Sequence, residues 1–197
     1  MSKFRKLTAG LLAAVLMLSG CGSSDEENAD GSLRVVFAAP VVNQSEAEAY
    51  GDTLKARDAS LPEIRCTAVS LGDSSQDPTA ALASMMKISG MVAGKEIDVI
   101  LYDIDAAARD ARSETFYSMS ELFTEDELSS MQDRLIRYHQ VDEEGNETEE
   151  LTPECGLDIS DQTEICKILN SDHIGIFVVG NAQNLDAAKT LVRSFLS

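Results

Sequence analysis

Apolar positions along this chain fall into short runs that switch between strand and helix periods. Leu33, Val35, Val36, Phe37, Ala38 and Ala39 form a nearly continuous β-rich run stopped by Pro40, which predicts a central strand buried on both faces. Ser45 and Glu48 have capping-box spacing and predict a helix from Ser45 to about Arg57. Leu61 and Pro62 break the chain. In 64–69 polar residues alternate with Ile64, Cys66, Ala68 and Val69, so this strand is expected at a sheet edge, followed by a loop over 72–76. Asp77 caps a helix with Pro78 at its first position. That helix, 79–92, carries Leu82, Met85, Met86, Ile88, Met91 and Val92 around most of its circumference, and is expected to lie largely buried against a sheet. Its methionines are read as core filling.

The alternation continues to the C-terminus. A third strand covers 97–102, and an alanine-rich helix covers 106–112. Thr124 and Glu127 make a second capping box, opening a short acidic helix to about Gln132. After residues 135–139, the acidic, glycine-containing stretch 142–150 reads as an exposed hairpin tip. Next come 156–159, a helix capped at Asp161 and running to Leu169, an apolar strand over 174–179, and a final helix from Asn184. Leu185, Ala188, Leu191, Val192 and Phe195 give that last helix one apolar stripe. Continuous apolar strands alternating with helices imply α/β class: a three-layer sandwich with a mainly parallel sheet.

The apolar run at 7–18 is different. It follows Lys3, Arg5 and Lys6, ends in Leu18, Ser19, Gly20 and Cys21, and falls short of the roughly 20 residues needed to span a bilayer. A charged start, a short apolar core and small residues before a cysteine are the pattern of a secretory signal. These residues resemble the lipobox of bacterial lipoproteins. The resemblance implies that residues 1–20 are a signal peptide removed before Cys21. It also implies that the Cys21 thiol is acylated, with palmitate-type chains, and that the protein is held by lipid alone on the outward face of the cell membrane. Residues 22–31 carry no apolar side chain larger than alanine and read as a flexible tether. Residues 32–197 then supply one α/β domain.

Charge narrows the partners. With 16 Lys+Arg against 34 Asp+Glu the formal charge is -18, and loss of the three basic residues of the signal takes it to -21. So acidic a surface repels nucleic acid and anionic head groups. With Cys21 acylated, Cys66, Cys155 and Cys166 remain, an odd number without Cys-x-x-Cys spacing. They are read as buried small hydrophobes or as one disulfide and a free thiol. His139 and His173 lie at no ligand spacing from a cysteine or from each other, so no metal is expected.

Templates for covalent chemistry are missing. The chain has no Gly-x-Ser-x-Gly, phosphate-binding glycine loop or His-Glu-x-x-His, and no enzyme activity or cofactor is expected. Asp103 and Asp105 follow the third strand, where the crevice of an open parallel sheet would lie. Two roles compete for them: holding a cation or a ligand amine, or capping the helix that begins near Ala106. With Asn43 after the first strand and Ser74 after the second, they form the expected ligand site, because loops after neighbouring parallel strands converge at one sheet end.

The methionine-rich helix, the segment 93–100 and Asp103 resemble the part of extracellular solute-binding proteins that leads into their aspartate-valine-isoleucine strand. Residues 116–123 resemble the position and leading loop of that family, and 156–160, 174–179 and 184–189 are similar to its closing strand and helix. The resemblance covers most of the chain after the tether. It implies one lobe of a periplasmic-binding-type fold, a small ligand, and a membrane transporter or another surface protein as partner. The chain departs from the family in length: residues between Asp105 and His173 are too few for a second lobe. A homodimer would rebuild a two-walled cleft. The alternative is a surface-anchored interaction or assembly module that keeps the fold and binds no small ligand.

Overall fold

The structure is a computed structural model that describes residues 31–73 and 75–196. The first strand, β1 (Leu33–Ala39), is followed by two short helices, α1 (Gln44–Ala49) and α2 (Gly51–Lys55), and by β2 (Ile64–Ser70). Then come α3 (Pro78–Ala93), β3 (Val99–Asp103), α4 (Ile104–Arg112), α5 (Met119–Leu122) and α6 (Glu125–Met131). The chain closes with β4 (Leu135–Ile136), β5 (His139–Val141), β6 (Glu147–Leu151), β7 (Gly156–Asp158), α7 (Thr163–Leu169), β8 (Ile174–Val178) and α8 (Leu185–Arg193).

Six strands form one sheet in the order β2-β1-β3-β8-β7-β4, while β5 and β6 pair as a separate hairpin. β1 pairs in parallel with β2 and β3. From β3 onward the pairings β3–β8, β8–β7 and β7–β4 are antiparallel. The class is therefore α/β with a mixed sheet, and its closing strand β8 runs opposite to the parallel arrangement expected from its apolar run. A strand buried on both faces shows the same pattern in either direction.

Period-two alternation along the central strands feeds two cores. Val35, Phe37, Val99, Leu101, Ile176 and Val178 face the side covered by α1, α2, α7 and α8, where Leu54, Ile165, Leu191 and Phe195 are buried. Val36, Ala38, Ile100, Tyr102, Phe177 and Val179 face the other side, with Ile88 of α3 and Ala107 and Ala111 of α4. Helices thus cover both sheet faces, as a three-layer arrangement requires.

Four local expectations differ from the structure. The helix from Ser45 is two helices joined at Tyr50, capped at Asn43 without a side-chain bond. The joint lets Gly51 press on β2, where a Cβ would lie 2.5 Å from the Ile64 carbonyl oxygen; only glycine fits that approach. Asp161 does not cap α7, whose cap is Gln162; instead it accepts a 2.8 Å hydrogen bond from Arg134 Nη2. The helix α3 is not largely buried: Ala81 and Ile88 are, but Leu82 is 56% and Met86 66% exposed. β2 beneath it is an edge strand with partly exposed side chains, so the apolar floor is narrow. Finally, Asp98 is a fully buried carboxylate just before β3 rather than part of an ordinary strand start.

Other signals hold. β2 is the edge strand, Asp77 accepts from Ala80 N with Pro78 at the first helical position, and the hairpin tip expected over 142–150 is the turn 142–146, with Gly145 at φ 86, while 147–150 form the hairpin strand β6. The Thr124 and Glu127 capping box forms. The Thr124 backbone N–H, then Arg193 and the Thr124 hydroxyl, hold the Glu127 carboxyl down at about 2, against an ordinary 4.5. A depressed folded-state value means that this contribution is complete above about pH 4.5 and is lost as pH falls towards 2. Glu127→Gln is therefore expected to flatten the acid limb of a plot of stability against pH in that window. An unchanged limb would show that the box contributes nothing.

Candidate functional site

The loops after β1 and β3 reach the same end of the sheet, and segment 168–173 ties them together. Asn43, exposed, donates its backbone N–H to Ile168 O at 2.8 Å and accepts from Ser45 Oγ at 3.2 Å. Asp103 caps α4: Oδ1 accepts from Ala106 N at 2.9 Å, and Oδ2 accepts from Ser171 Oγ at 2.7 Å. Each oxygen of that carboxylate thus already takes a protein donor. Asp105 is exposed in the first turn of α4. Ser74 lies outside the described residues, as does Cys21. The depression beside this end, of about 480 Å³, is lined by Cys166, Lys167, Asn170 and Ser171 among others, and by none of Asn43, Asp103 and Asp105.

A second cavity, of about 300 Å³, opens at the opposite end of β3. The helix α4 is held above it from three sides. Tyr102 donates its hydroxyl to Asp110 Oδ2 at 2.9 Å, Tyr138 donates to Ile104 O at 2.7 Å, and Arg112 Nε donates to His139 O at 2.7 Å. After Arg112 the chain reverses in a Schellman turn, with Thr115 N bonded to Asp110 O and Glu114 N to Ala111 O. Glu114 takes the left-handed position at φ 54, where glycine is the usual residue. Phe116 then bridges antiparallel to Val179, and Gly180 N donates to Thr115 O at 2.8 Å. Ser118 and Glu121 close the approach with a capping box on α5.

The result is a cavity with a mainly apolar floor, Ala111, Phe116 and Cys155, and carboxylates at its edge, Glu114 and Glu121. Cys155 is a free thiol, pushed up to about 11 by burial. Cys66, also free, is pushed up to about 12 by the same cause. Both are therefore protonated at neutral pH and poor nucleophiles. The three cysteines of the described region are free, which leaves the small-hydrophobe role for them. Among the described residues, no three His, Cys, Asp or Glu side chains gather to hold a metal ion, and no helix is long and apolar enough to cross a membrane.

The ligand site expected at the strand ends and this cavity are different places in the fold, and nothing in the sequence pointed directly to the cavity. Its lining is drawn from segments far apart in the chain, 111–121, 152–155 and residue 180. Comparison of this chain with protein-family models, with curated proteins and with solved structures gives no match.

Proposed function

We propose that this chain is a lipid-anchored, extracytoplasmic solute-binding-like protein. It is a single lobe of the periplasmic-binding type that holds a small ligand and presents it to a membrane transporter or another surface protein. The observation that carries the reading is the 300 Å³ cavity, with its apolar floor and polar edge, on a lobe whose two sheet faces are otherwise covered. Small-molecule sites have this composition and a similar size. Melting the chain in the presence of amino acids, short peptides, sugars, nucleosides, amines and divalent cations tests it. A ligand at about 100 times its Kd adds roughly 2.7 kcal/mol. The expected outcome is at least one shifted melt; none at millimolar concentration contradicts the reading.

The anchor has its own test. Cys21→Ala is expected to move the protein from the detergent-rich to the aqueous phase, since firm attachment takes two or more acyl chains. Undiminished membrane retention would overturn the lipobox assignment.

A second reading, an interaction or assembly module, is favoured by one observation: α3 leaves Leu82 and Met86 exposed, and Val41 after β1 is 59% exposed. If a second copy covers that face, the protein sediments as a dimer, and Leu82→Glu with Met86→Glu makes it a monomer. A monomer in both cases rules out self-association through α3.

A further inference from the structure

We propose that the cavity edged by Glu114 and Glu121 is a seat for a small organic ammonium ion with an apolar body. The proposal rests on the solute-binding reading and names the ligand class.

Three features of the cavity carry it. Its floor offers apolar surface from Ala111, Phe116 and Cys155, which suits a hydrocarbon body. Its charged lining is of one sign, since Glu114 and Glu121 line it and no lysine, arginine or histidine does. Within a chain of net charge -18 this edge attracts cations and repels anions. Phe116 and Tyr117 add aromatic surface of the kind that an ammonium group favours.

The two carboxylates differ in engagement. Glu121 Oε2 accepts from Ser118 N at 2.9 Å, which fixes that side chain. The Glu114 carboxylate has no partner among the described residues, and its backbone stands at φ 54, a conformation that costs a non-glycine residue stability. Glycine would relieve that strain and remove the carboxylate.

The test is calorimetric titration of the full 197-residue chain with phenethylamine, phenethyl alcohol and hydrocinnamate, which share an apolar body and differ in charge. The amine is expected to bind saturably, the alcohol about tenfold more weakly, and the carboxylate not at all. Glu114→Gln is expected to weaken amine binding about tenfold without moving the melt. Glu114→Gly is expected to weaken it similarly while raising the melting midpoint by about 2 °C.

Equal binding of amine and alcohol would overturn carboxylate recognition and leave the solute-binding reading standing. So would binding that Glu114→Gln leaves intact and Asp103→Asn abolishes, which would move the ligand to the other sheet end. If sugars or nucleosides shift the melt and phenethylamine does not bind, the ammonium class is wrong while the reading holds. If no solute acts, both fail.

Discussion

Replacing Asp98 by alanine lowers the stability of the folded chain by about 3–5 kcal/mol, the cost of leaving one member of a buried ion pair uncompensated. The carboxylate is 0% exposed, and its partner Arg34 is 14% exposed. Oδ1 accepts from Arg34 Nη2 at 2.9 Å, from Gln183 N at 2.7 Å and from Asn184 N at 3.0 Å. Oδ2 accepts from Arg34 N at 2.9 Å and Arg34 Nε at 3.0 Å. One side chain thus joins β1, the residue before β3 and the segment leading into α8, whose N-cap Asn184 makes no capping side-chain bond of its own. Against a typical stability of about 5–15 kcal/mol, such a loss shifts the midpoint of a urea titration far towards zero. A change below about 1 kcal/mol would mean that Arg34 and the amides of Gln183 and Asn184 find water instead.

Phe177→Ala is expected to cost about 3–5 kcal/mol. The ring is fully buried on β8, with its centroid 4.8 Å from that of Phe116 and 6.2 Å from that of Tyr102. Two glycines make room for it: a Cβ on Gly156 would lie 2.5 Å from its Cε1, and one on Gly175 would lie 2.7 Å from its Cε2. Gly175→Ala should therefore destabilise through overpacking, by about 1–3 kcal/mol. Because Phe116 lines the cavity, loss of Phe177 is expected also to weaken the binding of any solute that the proposed site takes. A Phe177→Ala protein that melts like the parent would contradict the packing described for this face.

Much of the fold was legible because local chemistry and tertiary structure agree. The apolar runs at 33–39 and 174–179 contain β1 and β8, Pro78 and Asp77 open α3, and the Thr124 and Glu127 spacing opens α6. Strand direction was not legible, since a doubly buried strand has no sequence mark of its orientation. The exposure of α3 was hidden for a similar reason: its apolar composition says nothing about how wide a floor the edge strand offers. Asp98 finds Arg34 across 64 residues, and neither residue carries a local sign of that meeting.

The candidate site was less legible than the fold. Asp103 could be placed at a strand end from its position alone, and one of its two expected roles, capping before Ala106, is present. Its bond to Ser171, 68 residues away, depends on the β3–β8 pairing and could not be read. The cavity at the other end forms only when the turn after α4, the bridge from Phe116 to Val179 and the segment 152–155 between β6 and β7 are assembled together.

Backbone amide spectra of the isotopically labelled chain, recorded while small solutes are titrated in, test most directly whether this domain holds a small ligand. On the proposed reading, saturable changes are expected at residues 111–121, 152–155 and 180, with the amides of the α3 face unmoved. Spectra that stay unchanged to millimolar concentrations of every solute class would contradict it.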